Sequence, residues 1–158
     1  KNPSKPSGID MQRMREIPPR ATPKGDDGYL EELTKAIFRA GFSWRVVQDK
    51  WDNFRRSFHG FDVAGVAAFD VPDISRLFED ASIVRNRQKI LATVENARTM
   101  LALASHHGSF HAYLRSLDHL EYPARVKVLT GQFRGLGRTG VFVFLHSVNE
   151  DTPSWHDR

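Results

Sequence analysis

After Gly28 apolar residues recur at intervals of three and four, the spacing that lines one face of an α-helix. Leu30, Leu33, Ile37 and Ala40 make the first stripe, and Gly41 is placed to end it. Ser43 stands at the N-cap of a second helix whose apolar face is Trp44, Val47, Trp51, Phe54 and Phe58. Asp62 caps a short helix through Val66 and Phe69, and Asp73 opens another through Ile74, Leu77 and Phe78. A long helix carries Ile83, Ile90, Val94, Ala97, Leu101 and Ala104 on one face and stops at Gly108. Ser109 restarts the pattern with Phe110, Leu114 and Leu117, and Pro123 suits a first helical turn. Strand-like alternation is confined to residues 141–145 (VFVFL), which read either way. The predicted fold class is all-α.

Residues 1–28 have a different texture, rich in Pro, Gly and Lys, and Pro18, Pro19 and Pro23 exclude a regular helix. The expected organisation is an extended or mobile arm over residues 1–28 and a helical domain over residues 29–158. At 158 residues there is room for one core.

Composition narrows the chemistry. With no cysteine, disulfides, zinc–thiolate sites, iron–sulfur clusters and cysteine nucleophiles are excluded. No apolar run approaches the length of a membrane span, and a cytoplasmic, membrane-free protein is expected. Net charge is only +4, from 23 Lys+Arg against 19 Asp+Glu, but its distribution is uneven. Residues 123–148 hold Arg125, Lys127, Arg134 and Arg138 and no acidic residue. Residues 85–98 hold Arg85, Arg87, Lys89 and Arg98 against Glu95. Such local positive potential favours a polyanion.

Gly135, Gly137 and Gly140 spell G-x-G-x-x-G. A dinucleotide-binding turn needs a strand before these glycines and a βαβ unit around them, and nothing upstream alternates. The better reading is a helix from Pro123 to about Phe133, a turn at Gly135-Leu136-Gly137, and a second helix begun by Arg138 and Thr139. Glycines let the backbone turn and approach a ligand without a Cβ in the way, and the second helix presents free N–H groups to a phosphate. Leu136 is placed to tuck into the core, with Arg134 and Arg138 flanking the turn. That is a helix-hairpin-helix suited to a nucleic-acid backbone. A plain αα-hairpin closed by glycine remains the alternative.

His106, His107 and His111 suggest a metal, but Gly108-Ser109 interrupts the helix between them and no third ligand is evident. No metal or other cofactor is expected. Ser43 lacks the surroundings of a nucleophile and reads as an N-cap. Arg85 and Asn86 read as residues that pin helices together.

Two adjoining segments, residues 40–62 and 63–101, then align. Ala40-Gly41-x-Ser43-Trp44, the spaced Phe54, Phe58 and Phe61-Asp62, and Ile83-x-Arg85-Asn86-Arg87-x-Lys89-Ile90 running on to Asn96-Ala97 resemble the 3-methyladenine DNA glycosylase I family, within the helix-hairpin-helix glycosylases. Gly108-Ser109-Phe110 and Tyr113-Leu114 continue the match, which covers roughly residues 30–148. The resemblance implies hydrolysis of the N-glycosidic bond of an alkylated purine, with the hairpin on duplex DNA and the damaged base flipped into an aromatic pocket. A monofunctional enzyme in base excision repair follows, monomeric and nucleoid-associated, its partner double-stranded DNA with a damaged base. Arg134, Gly135, Leu136, Gly137, Arg138 and Thr139 would form the DNA contact. Trp44 matches the tryptophan that lines the pocket, and Phe42 and Phe38 are expected beside it.

The chain departs from that pattern at three places. The family's base-reading glutamate lies eight positions before the tryptophan, where this chain has Ala36, and Glu32 is one turn earlier on the same face. An N-terminal Tyr-His-Asp-x-x-Trp-Gly segment is missing, and the two zinc-binding cysteines do not exist here. The wider superfamily places an aspartate a little over 20 residues beyond the second hairpin glycine. Asp157 is the first candidate for that catalytic carboxylate, with Asp151 and Glu32 behind it. The alternative function is a non-catalytic helix-hairpin-helix DNA-binding module that has lost the chemistry.

Overall fold

The computed structural model describes residues 19–41 and 43–158. Residues 1–18 of the expected arm, and the pocket candidate Phe42, lie outside the described residues. Nine α-helices and two 3-10 turns make up the regular structure among the described residues, with no strand. The all-α expectation is met.

The first helix, α1, spans Asp26–Arg39 and so begins before the expected boundary at residue 29. Asp26 and Asp27 suit the positive end of its dipole. Both carboxylates also reach outward. Asp26 Oδ1 accepts from Phe110 N at 2.9 Å and Asp27 Oδ1 from Val63 N at 3.1 Å. Ahead of α1, Ala21 N donates to Ser147 O at 3.1 Å and Arg20 Nη2 to Glu150 O at 2.6 Å, so residues 20 and 21 lie fastened against the domain.

The expected second helix is two helices, α2 (Trp44–Asp49) and α3 (Trp51–Ser57), because the backbone leaves helical geometry at Lys50. Ser43 occupies the N-cap position of α2 without a side-chain hydrogen bond. Beyond the break Trp51 stacks on Phe61 with centroids 5.4 Å apart, and Phe58 stacks on Phe61 and Phe69. The Asp62 side chain caps α4 (Val63–Ala67) through Gly65 N. For α5 (Val71–Phe78) the cap is Asp70 and not Asp73. Asp70 accepts from Asp73 N while Asp73 accepts from Asp70 N, a reciprocal capping box.

The long helix α6 spans Arg87–His107 and packs on α1, α4, α5 and α7. It begins after Ile83 because Asn86 Oδ1 accepts from Lys89 N at 3.1 Å, an N-cap bond. Leu101, expected on the core face, is 38% exposed; Thr93, Ala97, Met100 and Ala104 carry the buried stripe. Gly108 (φ 95°) closes α6, and the Ser109 hydroxyl caps α7 (Phe110–Arg115). Helix α8 (Tyr122–Gln132) has Pro123 in its first turn, and α9 spans Arg138–Ser147. The ambiguous residues 141–145 are helical and all five are buried, which explains their unbroken apolar run.

Candidate functional site

The turn between α8 and α9 is held by geometry that only some residues tolerate. Gly135 has φ 73°, and a β-carbon there would stand 3.3 Å from Ile37 Cγ2 and 3.6 Å from Ala92 Cβ. Leu136 is buried. Gly140 admits it, because a β-carbon on Gly140 would lie 3.0 Å from Leu136 Cδ1. Gly137 is different. It is the N-cap of α9, in extended conformation, with nothing within 4 Å of where its side chain would stand. No side chain caps α9, so its first N–H groups face outward past an open glycine. Arg138 is exposed, and so is Arg134, whose Nε lies 3.0 Å from Glu95 Oε2. A surface pair of that kind is weak and exchanges readily for a phosphate. The 3-10 turn Trp155–Asp157 packs on α9 through Trp155 and Phe142, and Arg158 Nε reaches Thr139 Oγ1 at 3.4 Å.

One stripe of α6 braces this turn. Asn96, 1% exposed, accepts from Arg134 N (2.8 Å) and donates to Arg134 O (3.0 Å). Ala92 backs Gly135. Lys89 Nζ donates to Phe38 O and Ala40 O at the C-terminal end of α1, and burial pushes its ammonium below its usual pKa range. Sequence reading singled out none of the three contacts. Their signal was Asn96 between the core positions Thr93 and Met100 of α6, since a buried amide must find partners.

Trp44 follows directly from that end of α1. Its indole is 8% exposed, with the Arg39 guanidinium over the ring at 5.3 Å. Lys35, one turn earlier, lies 5.5 Å over the Trp51 ring. Phe38, expected to line a pocket, is fully buried edge-to-face on Phe54 with centroids 4.8 Å apart. It lies in the apolar core among the side chains of α1 and α3. Ala36 is buried and carries no polar group. Glu32 does. Its Oε1 pairs with Lys35 at 3.2 Å, its Oε2 is buried without a partner, and burial raises its pKa. Glu31 is committed elsewhere, accepting from Trp51 Nε1 and Arg55 Nε, each at 2.7 Å.

The C-terminal carboxylates separate. Asp157 is exposed in the turn beside α9 and accepts from Ser154 Oγ at 2.8 Å. Asp151 lines a polar cleft of about 340 Å³ with Arg115, Asp118, Arg125, Asn149 and Glu150, none of them in the hairpin or the Trp44 turn. His111 Nδ1 is 3.0 Å from Tyr29 Oη, and His107 packs against Tyr113. Among the described residues no cluster of three His, Asp or Glu fits a metal ion, and with no cysteine the zinc site that the resemblance implies has no ligand set here.

These features define the class: an all-α helix-hairpin-helix domain with an aromatic turn behind the hairpin. Residues 21–130 match the family described as methyladenine glycosylase, which is more than half of the chain. The chain belongs to the methyladenine glycosylase family. It is 46% identical to DNA-3-methyladenine glycosylase 1 of Escherichia coli over 65 residues, covering 41% of this chain and 35% of that protein. It is 28% identical to the DNA-3-methyladenine glycosylase of Haemophilus influenzae over 118 residues, covering 68% and 63%. The chain thus spans less than two thirds of either relative. A crystal structure of 3-methyladenine DNA glycosylase I superposes with a TM-score of 0.70 at 28% identity, covering 81% of each chain.

Proposed function

We propose that this chain is a monofunctional DNA N-glycosylase that releases alkylated purines of the 3-methyladenine type from double-stranded DNA. It acts as a monomer in base excision repair, in the cytoplasm at the nucleoid. One observation carries the reading: the hairpin and the Trp44 turn are seated on the same helix, at Ile37 and at Arg39–Ala40, in a chain of this family.

The open face at Gly137 and the free N–H groups of α9 take a backbone phosphate, with Arg134, Arg138 and Thr139 around it. The damaged base leaves the stack and meets Trp44. N-alkylation gives that base a positive charge, so it exchanges for the Arg39 guanidinium on the indole face, cation for cation. The same charge makes the base a good leaving group. The C1′–N bond breaks and its electrons neutralise the departing base. Water adds at C1′, and its proton passes to a carboxylate. The protein's contribution is placement, water and stabilisation of an oxocarbenium-like sugar. Asp157, on the turn beside α9, is the first candidate for that carboxylate. Glu32, with its unpartnered buried oxygen, is the second and Asp151 the third.

The test has two arms. Duplex binding should weaken with salt in proportion to the phosphates neutralised, and Gly137→Arg should abolish it. Single-turnover base release should collapse in Asp157→Asn or in Glu32→Gln. Release unchanged in both, and in Asp151→Asn, would exclude all three carboxylates. Binding without any release would return the chain to a non-catalytic DNA-binding module.

A further inference from the structure

We infer that Asn96 and Lys89 are positioning residues that lock the hairpin and the Trp44 turn into one register through α6. The inference rests on the reading of those two parts as the DNA-backbone and base-binding sites.

The Asn96 amide spends both its donor and its acceptor on the backbone of one residue, Arg134, as a paired strand would. The exposed Arg134 side chain pairs only loosely with neighbouring Glu95, so the hold of α6 on this residue is the backbone pair. Gly135 then seats between Ala92 and Ile37. Two turns back along α6, roughly 10 Å at 1.5 Å per residue, Lys89 holds Phe38 O and Ala40 O. Those carbonyls end α1, and Trp44 opens the next helix. Asn96 is buried, so it cannot touch DNA itself, and Lys89 bonds to main chain at the end of α1. The arrangement ties two loops to one rigid helix, and each loop has its own tie.

Separate ties predict separable failures. Asn96→Ala should weaken duplex binding about tenfold, as the backbone N–H and C=O of Arg134 lose their bonds, and leave binding of free 3-methyladenine within about twofold. Lys89→Met should do the reverse, weakening free-base binding and slowing base release at saturating enzyme about tenfold, with duplex affinity held. Asn96→Asp keeps the acceptor for Arg134 N and should recover part of the loss. It also serves if the alanine variant fails to fold. Lys89→Arg keeps donors and should recover part of the second loss. Hydrogen exchange, which needs no ligand, should quicken at residues 134–138 alone in Asn96→Ala and at residues 44–47 alone in Lys89→Met.

Variants that move both binding readouts together, or neither, would overturn the inference. If the unaltered protein binds neither duplex nor base, the proposed function fails, and the exchange pattern alone then decides the register: localised loss upholds it and general loss refutes it.

Discussion

A β-carbon on Gly135 would stand 3.3 Å from Ile37 Cγ2, on a backbone already at φ 73°. Two separate penalties therefore meet at one position: a left-handed conformation that L side chains resist and a contact with α1 tighter than ordinary van der Waals spacing. Gly135→Ala should lower stability by about 1–3 kcal/mol and shift the thermal midpoint down. Ile37→Ala removes the γ carbons that a β-carbon at 135 would meet, so in an Ile37→Ala background the further cost of Gly135→Ala should shrink only in part, because the backbone term stays. Thermal unfolding of the two single variants and the double variant checks this; a Gly135→Ala cost that vanishes in the Ile37→Ala background would show that the contact alone mattered.

Gly137 should behave in the opposite way. Its conformation is extended and its surroundings are empty, so Gly137→Ser meets no clash and supplies a better N-cap for α9. Stability should hold or rise by a few tenths of a kcal/mol, while duplex affinity falls because a side chain now stands where the phosphate approaches. Denaturation and duplex titration on the same sample separate the two effects. An unchanged affinity would remove Gly137 from the interface.

Glu32 gives a pH signature. Burial raises its pKa in the folded state, so the folded protein holds that proton more tightly than the unfolded chain. Stability from this group is therefore present at acid pH and lost as pH rises through the raised pKa. Glu32→Gln should raise the thermal midpoint at neutral pH by about 2 to 4 °C per kcal/mol recovered, and the gain should vanish near pH 4. A series of melting curves across pH tests it. A gain independent of pH would show that the ionised form of Glu32 is not its source.

His146 titrates with the other sign. Burial, then the charge on Arg20, holds its pKa down, and Arg20 Nη1 lies 3.2 Å from its Nδ1, which must be unprotonated to accept. The unfolded chain binds this proton more readily, so stability should fall as pH drops below the ordinary histidine range. His146→Gln should flatten that part of the stability profile. Equal acid sensitivity in both proteins would place the titrating group elsewhere.

The helices and the hairpin were legible because their signals are local. Periodic apolar residues, caps at Asp62 and Ser109, and paired glycines each act within one turn of chain. Errors arose where a distant partner decides. Phe38 reads as a pocket residue beside Trp44, and its edge-to-face packing on Phe54 is what buries it completely. Lys50 breaks a pattern that reads as continuous, and Asp70 wins the cap from Asp73 by a reciprocal bond. Asn96, Lys89 and Arg39 were invisible as site residues because their partners lie 38, 49 to 51 and five positions away, on backbone or on a ring face. The match to relatives carries the family.

The most direct measurement is single-turnover release of free base from duplex DNA carrying 3-methyladenine, for the unaltered chain beside Trp44→Ala. Release of 3-methyladenine by the unaltered chain, with no release of adenine from unmethylated duplex and loss of activity in Trp44→Ala, is the predicted result. Duplex that stays intact in glycosidic linkage while binding persists would contradict the account and leave a DNA-binding fold without the chemistry.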